Sequence, residues 1–280
     1  MPPPPALPGV RHAHHALPTG VTLHVAEAGD PEAPAVLAVH GWPQHWWLWR
    51  DVIPALSATH RIVCPDLRGL GWSGQPDDGD FSKARFADDM LALLDVLGIE
   101  RAGFLGHDWG GWTGWLLALR APERLERLMA VSIPHPWPPR GAALLNAWRL
   151  LYQPPLAAPV VGPALVPRFA RLALGRSMDA ATVEVYAAVL DDPERAEASS
   201  RVYRHFLLRE LPGMAAGEPL RVELPVKLLS GRGDPAVHPS LLGDLARHAP
   251  EADLEIVDGG HFLVDEQPAL VADRARAWFA

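Results

Sequence analysis

Short apolar runs punctuate this chain, separated by stretches in which apolar residues recur three and four positions apart. Residues 21–25 (Val-Thr-Leu-His-Val) alternate apolar and polar side chains, the period of a half-buried strand. Residues 35–39, 61–64, 102–105, 128–133, 226–229 and 254–257 are mostly apolar throughout, as strands covered on both faces of a parallel sheet are. Between them the period changes. Ser82 is placed to cap a helix that sets Phe86, Met90, Leu93, Leu94 and Leu97 on one face and stops at Gly98. Residues 265–279 read as a closing helix. This alternation predicts an α/β fold with a mostly parallel sheet flanked by helices.

The alternation breaks between residues 134 and 221. There the sequence is proline-rich, helical in period and strongly apolar (Leu144, Leu145, Leu150, Leu151, Leu156, Val160), and the strand pattern resumes only at Leu224. We read one core, 10–134 with 221–280, interrupted by a helical cap insertion at 135–220, because both flanks are needed to complete one sheet. Residues 1–9, opening on Pro2 to Pro5, read as a disordered tail.

Composition acts mainly by exclusion. With 280 residues, 49% hydrophobic and 21% charged, the chain has the make-up of a globular protein. Its net charge of −8, carried without long runs of one sign, argues against nucleic acid or anionic membranes as partners. The single cysteine, Cys64, sits in an apolar run and reads as a buried structural thiol with no disulfide or zinc role. The start of the chain lacks the pattern of a signal peptide, and no apolar stretch approaches the ~20 residues of a membrane span. The default expectation is a cytoplasmic protein with no stable membrane insertion.

Chemistry concentrates at Gly106-His107-Asp108-Trp109-Gly110-Gly111, directly after the run 102–105 and before a helical stretch. A small-x-nucleophile-x-small-small pattern between strand and helix matches the nucleophile elbow of α/β-hydrolases. Its centre is ordinarily serine; here it is Asp108. A carboxylate attacks strained or activated alkyl carbon, where serine would attack acyl carbon, and yields an alkyl-enzyme ester. The rival reading of Asp108 is a helix N-cap. His40-Gly41-Trp42-Pro43 follows the run 35–39, where such folds supply one oxyanion N–H, so Trp42 and Trp109 are the expected oxyanion donors. Acid and base should follow in chain order. Asp234 (in Gly231-Arg232-Gly233-Asp234) and His261 (in Gly259-Gly260-His261-Phe262) follow the last two strand patterns, where open α/β sheets place ligands. Asp258 is the rival acid.

These motifs carry a resemblance. The chain resembles the epoxide hydrolase and haloalkane dehalogenase branch of the α/β-hydrolase superfamily over nearly its whole length. The matching stretches are HGWPQHWWLWR at 40–50, DLRGLGWSG at 66–74, GHDWGG at 106–111, GRGD at 231–234 and GGHF at 259–262. The match is looser in the cap. The resemblance implies a triad of Asp108, Asp234 and His261 with no metal or organic cofactor.

The two activities differ in what receives the leaving group. An epoxide leaves an alkoxide, whose conjugate acid lies near water's pKa of about 15.7. It therefore needs a proton donor, for which tyrosine at about 10 is suited. Halide needs only N–H donors. All three tyrosines, Tyr152, Tyr186 and Tyr203, fall in the cap. The resemblance implies one tyrosine early and one late there: Tyr203 fits the late position, while the early one aligns on Trp148, one helical turn from Tyr152. The pair is thus Tyr203 with either Tyr152 or Trp148, and Trp109 with Trp148 would make a two-tryptophan halide cradle. His40, His135 and Trp148 are candidate substrate-binding residues. The expectation is an epoxide hydrolase taking a small apolar substrate, with a dehalogenase as alternative and a non-catalytic receptor as a remote one. Homodimerisation is left open.

Overall fold

The computed structural model describes residues 1–214 and 221–280. Eight strands form one sheet: β1 (Arg11–Leu17), β2 (Val21–Ala28), β3 (Ala35–Val39), β4 (Arg61–Pro65), β5 (Ala102–His107), β6 (Leu125–Val131), β7 (Val226–Gly231) and β8 (Ala252–Val257). Their order is β1-β2-β4-β3-β5-β6-β7-β8. β2 runs antiparallel to β1 and β4, and every other pairing is parallel. The protein is therefore α/β with a mostly parallel sheet, as its apolar runs predict.

Alternate residues of each inner strand feed opposite faces. Leu37 and Val39 of β3 join one core with Phe86, Met90 and Leu94 of the helix Lys83–Val96 and with Trp115 and Leu117 of the helix Trp109–Arg120. Val36 and Ala38 join the other, with Ile53 and Leu56 of the short helix Ile53–Leu56 and Val271, Ala275 and Phe279 of the helix Pro268–Phe279. In chain order we name these helices α1 (Ile53–Leu56), α2 (Lys83–Val96) and α3 (Trp109–Arg120). The Ser82 hydroxyl accepts from Arg85 N at 3.3 Å, and Gly98, at φ 68°, ends α2 where a side chain would be strained. Cys64 is buried and unbonded.

Between β6 and β7 the described chain is helical: α4 (Arg140–Asn146), α5 (Gln153–Ala157), α6 (Val161–Leu174), α7 (Ala180–Ala187), α8 (Pro193–His205) and α9 (Leu211–Met214). A π-helical turn, Phe206–Glu210, joins the last two. The expected C-terminal boundary of the insert, at 220, lies outside the described residues. The closing helix is split at Gln267-Pro268, because proline cannot donate the N–H that would continue the first segment, Leu263–Glu266.

One expectation needs correction, and one strand has no counterpart in the apolar pattern. Residues 1–9 form no regular element, but they lie against the body: Trp72 Nε1 donates to the Pro2 carbonyl at 2.8 Å, and Leu7 packs on the core. Prolines have already removed much of this segment's freedom, so laying it down loses little entropy. The strand β1 (Arg-His-Ala-His-His-Ala-Leu) has no apolar alternation, yet it pairs along its length with β2. As a largely exposed edge strand it is held by backbone hydrogen bonds, which leave no hydrophobic signature.

Candidate active site

Asp108 occupies the turn between β5 and α3 with φ 50° and ψ −122°, a conformation a side-chain-bearing residue holds only under constraint. Its surroundings explain the small neighbours. A Cβ on Gly106 would come within 2.5 Å of Gly110 backbone, and one on Gly110 would run into the Val39 carbonyl. The chain can pass there only without side chains. Although Asp108 stands at the N-cap position of α3, its carboxylate makes no cap hydrogen bond, so the N-cap role is not realised.

The carboxylate turns instead into a cavity. Trp42 N donates to Asp108 Oδ1 at 3.0 Å, and His261 Nε2 lies 3.6 Å from Asp108 Oδ2. On its other side, His261 Nδ1 is 2.9 Å from Asp234 Oδ2. Asp234 Oδ1 accepts from Ala236 N and Val237 N at 2.7 and 2.8 Å. Burial pushes the Asp234 carboxyl up, but the His261 charge and these hydrogen bonds more than offset it and hold it below the usual carboxylate range. Burial likewise opposes a charged His261, yet Asp234 and Asp108 together hold its pKa well above the ordinary value. Asp258 is on the surface beside Arg232 and makes no contact with His261, so the rival acid is excluded by position.

The cavity has a volume of about 740 Å³ and is lined by Trp42, Asp108, Tyr152, Phe169, Tyr203 and His261, among others. Tyr203 stands edge-on to Trp42 and to Tyr152, with ring centres 5.2 and 5.9 Å apart, and Tyr152 stacks on Phe169 at 5.5 Å. Burial and the negative charge of Asp108 push the Tyr152 phenol up to about 12. Burial does the same to Tyr203, well above its ordinary value. Both phenols keep their protons across the range in which proteins work. The arrangement offers a carboxylate, an imidazole oriented by a buried acid, a backbone N–H on one carboxylate oxygen and two protonated phenols around one apolar space.

The family model for the alpha/beta hydrolase fold matches residues 34–156. The AB hydrolase superfamily protein YfhM of Bacillus subtilis is 30% identical over 271 residues, which cover 90% of this chain and 92% of that protein. The chain belongs to the α/β-hydrolase superfamily. The soluble epoxide hydrolase of Corynebacterium sp. is 42% identical to this α/β-hydrolase over 120 residues, covering 43% of this chain and 41% of the relative. The crystal structure of epoxide hydrolase VrEH1 from Vigna radiata superposes with a TM-score of 0.83, covering 98% and 99% of the two chains. At 24% identity that likeness speaks to fold alone.

Three residues expected at the site of this α/β-hydrolase lie elsewhere. Trp148 is exposed, with the Arg149 guanidinium 4.7 Å from its ring centre, and does not line the cavity. It faces outward because the chain turns between it and Tyr152, which takes the inner position beside Tyr203. His40 is fully buried under the loop: its Nε2 accepts from Leu67 N at 3.0 Å and its Nδ1 faces the Gly41 carbonyl at 2.8 Å. Burial lowers its pKa, so it is a neutral brace. His135 is another brace, with Nε2 2.9 Å from the Gly243 carbonyl and Nδ1 accepting from Trp137 N at 3.2 Å.

Other residues escaped the sequence reading. His107 Nε2 lies 2.8 Å from the His261 carbonyl, and burial lowers its pKa to about 4, so the neutral ring donates and ties the elbow strand to the histidine loop. Lys83 is buried with its ammonium 4.5 Å from the Trp109 ring centre, donating to the Val202 carbonyl and paired with Glu210 at 3.0 Å. It thereby fastens the Tyr203-bearing helix α8 to α2. A lysine in register with the buried Phe86, Ala87 and Met90 was the available signal.

Proposed function

We propose that this α/β-hydrolase is an epoxide hydrolase that opens a small apolar epoxide through an ester on Asp108. In the first step Asp108 Oδ2 bonds to an epoxide carbon, the carbon–oxygen bond of the ring breaks, and the departing oxygen takes a proton from Tyr203 or Tyr152. In the second, His261 Nε2 takes a proton from water as its oxygen adds to the Asp108 carboxyl carbon. Charge then collects on Oδ1, against Trp42 N–H and the Trp109 N–H at the free start of α3. Collapse breaks the bond from that carbon to Oδ2, the proton passes from His261 to the leaving alkoxide, and the diol departs.

The coupling between the steps follows from charge. Two carboxylates hold His261 protonated in the resting site. Ester formation neutralises Asp108 and so removes one of them; the imidazolium then gives up its proton, which restores the phenol that spent one on the epoxide oxygen, and the neutral ring can act as base only once an ester exists. After the diol departs, the proton of the regenerated Asp108 acid returns to His261.

The observation that carries the epoxide reading is the Tyr152–Tyr203 pair on the cavity wall with its protons retained. A dehalogenase keeps one supporting feature, the buried Nε1 atoms of Trp42 and Trp109, both without a hydrogen-bond partner among the described residues. With Trp148 outside, however, the expected Trp109–Trp148 cradle is absent. Diol formation from styrene oxide and halide release from short bromoalkanes, measured side by side, separate the two. Diol without halide is expected, and halide without diol would reverse the assignment.

A further inference from the structure

The outer face of the helical insert has a character unlike the rest of the surface. Leu144, Leu145, Trp148, Leu151, Val160 and Val161 are each between 54% and 84% exposed. The first four are spaced as one face of the helical run that begins with α4. Such a stripe is normally buried, and among the described residues nothing covers it. The same segments supply the inner wall: Arg149 and Tyr152 line the cavity, as do Phe169 and Ala173 of α6.

Charge on this insert is segregated. Between residues 135 and 178 there are five arginines and no aspartate, glutamate or lysine, although the whole chain carries −8. Arg171 is held by Glu184 and Asp191, and Arg149 donates to the Pro235 carbonyl. Arg140, Arg168 and Arg176 are exposed and make no ion pair among the described residues. Arg176 also lines the cavity, as does Arg149, so two of the five arginines stand on its wall. The expectation drawn from net charge thus misses a local excess of the opposite sign.

We propose that this face docks the protein on an anionic phospholipid surface, with the leucine and tryptophan side chains in the headgroup–acyl boundary and the arginines on the phosphates. Exposed apolar side chains in a segment whose only charges are arginines have the composition that holds an amphipathic helix at such an interface. No described helix is long and apolar enough to cross a membrane, so the attachment is peripheral. A second copy of the chain fits less well, because a two-fold contact would set this cationic face against itself. If the proposed epoxide activity holds, the cavity would draw apolar substrate directly from the lipid; the docking itself does not depend on that activity.

The test is flotation of the full chain with vesicles of phosphatidylcholine alone or mixed with phosphatidylglycerol. Binding is expected to the mixed vesicles only, with release at about 1 M salt, where the screening length falls to about 3 Å. Leu144→Asp with Leu145→Asp should cut partitioning at least about tenfold, and Arg140→Glu with Arg168→Glu should weaken it while leaving the apolar stripe intact. Both pairs should keep the thermal midpoint, since all four side chains are exposed. No binding to anionic vesicles, equal binding to neutral ones, or a solution dimer dispersed by the leucine variants would overturn the proposal.

Discussion

Tyr203→Phe isolates the proton that an epoxide needs and a halide does not. Tyr203 is 2% exposed, and its ring packs edge-on against Trp42 and Tyr152. Phenylalanine preserves that packing, so the substitution removes one oxygen and little else. Losing one preorganised donor to a developing oxyanion typically raises a barrier by about 2.7–4 kcal/mol, which is about 10²- to 10³-fold in rate. Tyr152→Phe should cost a similar amount. The double variant should lose more than the product of the two, because each single variant still has a donor. The measurement is quench-flow of ester formation, followed as added mass on the Asp108 peptide. With burial holding Tyr152 at about 12, the rate should show no fall near pH 10, where an ordinary phenol would ionise. An unchanged rate in Tyr203→Phe, or a loss confined to ester hydrolysis, would refute the reasoning.

Asp66 tests a structural consequence of the loop below Trp42. It is fully buried and accepts from Trp46 N, Trp72 N and the His24 ring at 2.8, 3.0 and 2.7 Å; burial is the largest single influence and works against its charge, but the His24 hydrogen bond and the charge interactions with His24, His40 and His45 together outweigh it and bring its pKa to about 2. A folded pKa below the unfolded value of about 3.9 makes its contribution full above that pH and lost as pH falls through about 2. Asp66→Asn should therefore cost about 2–3 kcal/mol in urea melts near neutrality, and the gap to the parent should close in acid. Gly41→Ala would drive a methyl into the Asp108 carboxylate and within 2.7 Å of the His107 carbonyl. It should reduce turnover at least about 10²-fold and cost about 1–3 kcal/mol; retention of activity would mean that the carboxylate is not held where Trp42 N places it.

The parts legible in the sequence are those with strong local constraints. Buried parallel strands must be apolar on both faces, so β3, β4, β5, β6 and β7 are recognisable within a few residues; β8 is found by the same sign, but it is an edge strand, only partly covered and not enclosed on both faces as its apolar run suggests. The elbow must be glycine-rich because no Cβ fits, and that exposed Asp108 before any geometry was known. Its partners Asp234 and His261 follow from strand ends in a fixed chain order. What escaped depends on the third dimension. Trp148 and Tyr152 differ by one helical turn, and the choice between inside and outside is made by packing against Phe169 and Tyr203, which no spacing reveals. His40 and His135 look like site residues in motif context, yet their ring nitrogens serve neighbouring backbone. The edge strand β1 and the resting N-terminal segment are held by backbone hydrogen bonds, whose donors and acceptors every sequence shares.

The central claim is that an oxygen of Asp108 becomes an oxygen of the product. A single turnover in ¹⁸O-water, with enzyme in excess over epoxide, examines it directly. The account predicts a first-turnover diol free of label and ¹⁸O in the Asp108 carboxyl, read by mass spectrometry of its peptide. Label in that first diol, with none on Asp108, would mean that water attacks the epoxide itself and would contradict the mechanism.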